Sequence, residues 1–75
     1  MRKDINAIVR QYAVLHNNDF EGAWNLLYRL YNGIAHKNIK LRARRRNIKP
    51  LDMIEQLQDL ALLKQIAVYR FNYAR

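Results

Sequence analysis

Apolar residues recur along this chain with the period of an α-helix, and no stretch of useful length alternates as a strand would. Ile5, Ile8, Val9, Tyr12 and Leu15 fall on one side of a helical projection, with Arg2, Asn6 and Arg10 on the other. The spacing predicts a helix over 5–16, with Asp4 as its N-cap and Asn17-Asn18-Asp19 interrupting it. Phe20, Ala23, Trp24, Leu27, Tyr31 and Ile34 form a second stripe, which predicts a helix over 19–35. Asn18 followed by Glu21 reads as a capping box at its start, and Gly33 is a candidate for ending it. Gly22 lies in the first turn, a place where another element can approach closely.

Pro50 suits the first turn of a last helix over 51–72, with Asp52 and Glu55 near its positive end. Its main stripe is Met53, Leu57, Leu60, Ala61, Ala67, Val68 and Phe71. Lys64 falls inside that stripe, where its stem packs and its ammonium reaches out. A second apolar line, Leu62, Ile66, Tyr69 and Tyr73, runs on nearly the opposite side. A helix apolar on two faces is either central or half of an oligomer interface, so these four residues are the expected contacts of a homodimer.

The stretch between the second and last helices supports two readings. Phe20, Leu27, Ile34, Leu41 and Ile48 recur every seven residues, which would carry one helix through Gly33 to about Asn47. Asn38 and Arg45 occupy the places where the seam needs apolar partners, which favours a turn followed by a separate helix. The expected fold is therefore a small all-α domain, single over 1–75, of three helices, with a segment 37–49 between helices two and three that is helical in one reading.

Charge changes the picture most. Between Lys37 and Lys49 lie seven cations (Lys37, Lys40, Arg42, Arg44, Arg45, Arg46, Lys49) and no acid. The rest of the chain carries seven cations and six acids, so this one segment holds +7 of the +8 net charge. A localised, Arg-rich run is the footprint of a polyanion partner: binding releases condensed counterions, and Arg forks to phosphate or to guanine edges. On a helix, Arg42, Arg45, Arg46 and Lys49 would share one side. Tyr28 and Arg29, beside the main stripe of helix two, would extend the basic surface. Nucleic acid is the expected partner, with DNA slightly favoured over RNA because an α-helix enters the DNA major groove and not that of A-form RNA. The competing reading is an interaction module or inhibitor that binds an acidic protein. A membrane surface fits poorly, since Ile39, Leu41 and Ile48 are too few for an interfacial face and are wanted in the core.

The remaining composition mostly excludes. A hydrophobic content of 51% is not that of a disordered chain. The absence of Cys argues for a reducing compartment, so a cytoplasmic location is expected, and it removes Cys-based zinc sites. His16 and His36 lie far apart in the sequence, so no metal or other cofactor is expected. No apolar stretch approaches the roughly 20 residues needed to span a bilayer. There is no Gly-rich phosphate loop, no Ser/His/Asp or Cys/His set and no carboxylate pair placed for acid–base work. The function expected is thus non-enzymatic, without a small-molecule substrate, in a regulatory or accessory role.

One stretch, Tyr28-Arg-Leu-Tyr-Asn-Gly-Ile-Ala-His36, resembles the HEPN ribonuclease motif, an Arg followed a few residues later by His, often with Asn just after the Arg. Asn32 is not adjacent to Arg29 here, the match is confined to this stretch, and such domains are generally longer helical bundles. The resemblance implies Arg29 and His36 acting on an RNA phosphodiester across a dimer, with His as general acid or base. The plainer account of His36 is a residue at a helix C-terminus, where its positive charge complements the dipole.

Overall fold

The computed structural model describes residues 1–72. Those residues form five helices and no strand: α1 (Arg2–Leu15), α2 (Phe20–Ala35), α3 (Ile39–Arg46), α4 (Pro50–Gln56) and α5 (Leu60–Ala67), the last running on into a π-helical turn over Val68–Asn72. The all-α class is as expected. The number of helices is not, because the basic segment is a helix of its own and the expected last helix is two.

The breaks share one device. At Asn17, His36, Asn47 and Gln58 the backbone turns left-handed, with φ between 56° and 63°. The following amide then reaches back to a carbonyl five residues earlier: Asn18 N–H to Ala13 O, Lys37 to Asn32, Ile48 to Ala43, and Asp59 to Ile54. This closes the last helical turn and satisfies carbonyls that would otherwise be orphaned. Glycine is the usual residue there, yet neither glycine of the chain is used. Gly33 stays inside α2, which runs on to Ala35 before His36 takes the left-handed position. Gly22 lies against the cap of α2. Asp19, not Asn18, is the N-cap of α2 and accepts from the Gly22 amide at 2.9 Å. A Cβ at Gly22 would collide with that carboxylate, so the close approach is made by the helix's own cap. The expected capping box fails because Asn18 is itself left-handed and lies outside the helix. At the start of the chain, Met1 O already accepts from Asp4 and Ile5, so α1 begins at Arg2 and Asp4 is a first-turn residue paired with Lys64.

The core is built from Ile5, Ile8, Val9 and Ala13 of α1, Ala23, Leu27 and Tyr31 of α2, Ile39 and Ala43 of α3, Met53 and Ile54 of α4, and Leu63, Ile66, Ala67 and Phe71 at the C-terminal end. α1 packs on α2, on α5 and on the π-helical turn, where Phe71 stacks on Tyr12 at a ring distance of 4.2 Å. α3 packs chiefly on α4, and α2 joins this pair to the rest. The seven-residue seam does not form: Phe20, Ile34 and Leu41 are exposed, and the break at His36 resets the phase so that Ile39 and Ala43 face inward. The break at Gln58 has the same effect on the last stripe, leaving Ala61 and Val68 exposed while Leu63 is fully buried.

Asp59 holds these pieces in register. Its Oδ2 accepts from the hydroxyl of Tyr31 at 2.6 Å and from Lys37 Nζ at 3.2 Å. It thereby joins the α4–α5 turn to the middle of α2 and to the α2–α3 turn. Tyr31 is fully buried, so its hydroxyl needs this partner. The Tyr31 hydrogen bond, with the Lys37 ammonium added, holds the Asp59 carboxyl below its ordinary range against the opposing effect of burial. Burial, and then the bond to Asp59, push the Tyr31 hydroxyl well above its ordinary range.

Asp59→Ala should therefore cost about 1–3 kcal/mol in urea denaturation, since it strands a buried hydroxyl. The sign of each shift sets the pH profile. The contribution of Asp59 is present above the ordinary carboxylate pKa of about 4 and is lost as pH falls through the depressed value. That of Tyr31, whose neutral form is favoured, is present below about pH 10 and is lost as pH rises. Urea midpoints should fall at both ends of the pH scale, and Tyr31→Phe should lessen the alkaline fall. A further substitution tests the helix break: Gln58→Gly should stabilise by about 0.5 kcal/mol, because roughly 1–2 kcal/mol of left-handed strain outweighs the added chain entropy of glycine.

Candidate nucleic-acid interface

α3 is the sequence Ile-Lys-Leu-Arg-Ala-Arg-Arg-Arg, and it forms because both ends are tied. Asn38 caps it, its side chain accepting from the Leu41 amide at 3.2 Å, while the Ile39 amide donates to Asn32 Oδ1 of α2 at 2.9 Å. Arg44, Arg45 and Arg46 fill the last turn, where cations favour the negative end of the helix dipole. Only Ile39 and Ala43 are buried. At about 100° per residue, Leu41 and Arg45 lie opposite them, Arg42 and Arg46 on one flank, and Lys40 and Arg44 on the other. Arg42, Arg45 and Arg46 do share a side. Lys49 does not belong to it, since it is the extended residue preceding α4.

Among the described residues, Arg2, Lys37 and Lys64 are the cations with a carboxylate partner. Asp52 and Glu55 both pair with Arg2, at 2.9 and 3.0 Å, Asp4 pairs with Lys64 at 3.4 Å, and Asp59 with Lys37 at 3.2 Å. Of the seven cations over 37–49, Lys37 alone has a carboxylate partner among the described residues, and it is half-buried. Lys40, Arg42, Arg44, Arg45, Arg46 and Lys49 are exposed and none is ion-paired among the described residues.

Beside α3 a polar groove of about 270 Å³ opens against α2, lined by Asn25, Tyr28, Arg29, Asn32 and Lys40. Tyr28 and Arg29 thus line a groove together with Lys40 of the basic segment. Lys40 Nζ donates to Asn25 Oδ1 at 2.6 Å. Burial raises the Tyr28 hydroxyl to about 12, with Arg2 lowering it and Asp52 raising it, so it is neutral at ordinary pH. Asn25 and Asn32 have no place in the expected basic surface, although 25, 28, 29 and 32 have the i, i+3, i+4, i+7 spacing of one helical stripe. Attention to apolar stripes alone hides a polar one.

No protein-family model, curated protein or solved structure matches this chain. The arrangement of its own residues is what bears on function.

An apolar groove of about 430 Å³ lies on another part of the surface, lined by Leu30, Ile34, Leu62, Gln65, Ile66, Tyr69 and Arg70. It brings together Leu62, Ile66 and Tyr69 of the expected oligomer contacts. Ile66 is 5% exposed and belongs to the protein's own core as well, and Tyr73 lies outside the described residues. Arg29 and His36 are not brought together in the polar groove: Arg29 lines it, whereas His36 is the exposed left-handed residue that ends α2. Among the described residues no group of His, Asp and Glu is placed to hold a metal ion, and no helix is long and apolar enough to cross a membrane.

Lys37 is thus set apart from its neighbours in the basic run. Lys37→Met should lower stability by about 1 kcal/mol and leave polyanion affinity nearly unchanged. Lys49→Met should do the reverse, and heparin-column elution beside thermal melts will separate the two effects.

Proposed function

We propose that the chain is a non-enzymatic nucleic-acid-binding protein that uses α3 and its neighbours as the contact surface. The observation that carries this reading is the division of charge. Four of the six carboxylates pair with Arg2, Lys37 and Lys64, while among the described residues none pairs with the five cations of α3, which lie together on an exposed helix anchored from behind by only two buried residues. Like charges so close together repel one another, and a polyanion removes that repulsion as it binds. Arg42, Arg44, Arg45, Arg46, Lys40 and Lys49 contact phosphates in this reading, with Arg42, Arg45 and Arg46 placed for base contacts. Arg29 and Tyr28 extend the surface along α2. Duplex DNA is slightly favoured over RNA, since a short helix exposed on three sides suits the major groove.

The apolar groove favours a protein contact in addition. We propose a homodimer closed through Leu62, Ile66 and Tyr69, which would present two α3 helices to a two-fold site. An adaptor or inhibitor that meets an acidic protein through α3 is the alternative, and it should show no preference for nucleic acid over heparin.

Replacing Arg42, Arg44, Arg45 and Arg46 together with Gln, also a good helix former, should nearly abolish binding to duplex DNA while the circular dichroism spectrum is kept. With about five phosphates neutralised, log K should fall with log salt at a slope near −4.5. Binding that ignores salt, or that survives the fourfold substitution, defeats the reading. Sedimentation at two protein concentrations tests the dimer.

A further inference from the structure

Leu41 is the apolar residue of the basic segment that the core does not take. Its spacing from Ile34 and Ile48 assigns it to a seam, but that seam does not form, and Leu41 stays 39% exposed. Of the three large apolar residues over 37–49, Ile39 is fully buried and Ile48 packs against the core, which leaves Leu41 outside. Its place on α3 is the crown of the helix. At about 100° per residue it lies about 180° from the midpoint between Ile39 and Ala43, the two residues that anchor α3. Every other exposed residue of α3 is a cation. Arg45 shares the crown one turn on, Lys40 and Arg44 lie on one flank, and Arg42 and Arg46 on the other. Among the described residues none of these five has a carboxylate partner. A surface that met only phosphates would be better served by a sixth cation at the crown, because a charged backbone offers nothing to an apolar side chain.

The shape of the major groove gives the crown a different task from the flanks. A helix with its side chains is roughly 10–12 Å across, and the major groove of B-DNA is about 12 Å wide, so an inserted α3 fills it. With Ile39 and Ala43 toward the body of the protein, α3 turns Leu41 and Arg45 to the groove floor and its flanks to the two walls. The floor is mostly polar, made of ring nitrogens, carbonyl oxygens and exocyclic amines. Its apolar feature is the C5-methyl group of thymine.

We infer that Leu41 meets the C5-methyl group of thymine on the floor of the DNA major groove, and so gives α3 a preference for duplexes that carry this methyl group. This rests on the nucleic-acid reading above and adds to it an apolar specificity contact at the crown of the basic helix.

The test takes away the methyl group and keeps pairing, length and charge. The probes are a DNA duplex of alternating A and T and the same duplex with uracil in place of every thymine, read by fluorescence anisotropy with the intact chain. The thymine duplex should bind about fourfold more tightly, the effect of withdrawing one methyl group from water. Leu41→Gln, of similar length and also a good helix former, should bring that ratio to near one by weakening binding to the thymine duplex. Its circular dichroism spectrum should be unchanged, because the position is exposed. Leu41→Met keeps an apolar chain at the crown and should retain the preference. Equal, salt-dependent affinity of the unaltered protein for the two duplexes would overturn the methyl contact and leave the nucleic-acid reading standing. A ratio that persists in Leu41→Gln would also overturn it, since the preference would then belong to duplex shape. Binding to neither duplex would remove both.

Discussion

The hydroxyl of Tyr31 is the constraint on which this small fold turns. It lies at the end of a fully buried side chain, in a domain too small to hide an unsatisfied polar group without losing a large share of its stability. Asp59 satisfies it, and Asp59 can do so only because the chain breaks at Gln58 and brings the α4–α5 turn against α2. The same carboxylate holds Lys37, and Lys37 follows the left-handed residue that ends α2. One acid thus couples the turn before α3 to the turn after α4. The direction in which α3 leaves the body of the protein follows from that coupling.

Short helices joined by left-handed turns also explain how so much charge is carried by so small a protein. A single long helix through the basic segment would have had to bury a continuous seam, and arginines would have fallen on it. As a separate helix, α3 needs only Ile39 and Ala43 inside and can expose every other position. Its anchoring is polar as much as apolar, through Asn32 to the Ile39 amide and Lys40 to Asn25. Those two hydrogen bonds also border the groove beside α3. The same contacts therefore serve the fold and shape the surface.

Charge is sorted by position as well as by sign. The acids of α4 and of the α4–α5 turn face Arg2 and Lys37, while Asp4 faces Lys64. Each pair is modest in energy because it is at least partly exposed. Among the described residues none of them pairs with a cation of α3. On a second surface, an apolar groove with Arg70 at its edge collects Leu62, Ile66 and Tyr69. Polar and apolar grooves are separate, each with its own lining.

The helical class, the core positions Ile5, Ile8, Val9, Ala23, Leu27 and Tyr31, and the concentration of cations over 37–49 were legible in the sequence, because periodicity and charge are local properties of neighbouring residues. The start of α4 at Pro50 was legible for the same reason, since proline limits its own neighbours. The break at Gln58 was not, because Gln is a good helix former and its left-handed turn exists to deliver Asp59 to Tyr31, a partner 28 residues away. The choice of His36 over Gly33 to end α2 was equally hidden, as was the withdrawal of Lys37 from the basic surface. Nor could spacing reveal that Asn25 and Asn32 would each accept a hydrogen bond from α3, since that depends on which helices pack together. Sequence by itself determined what this chain carries, a helical core and one dense run of cations. Tertiary structure decided which cations remain free and which residues line the groove beside them, because both depend on partners brought together only by the folding of distant segments.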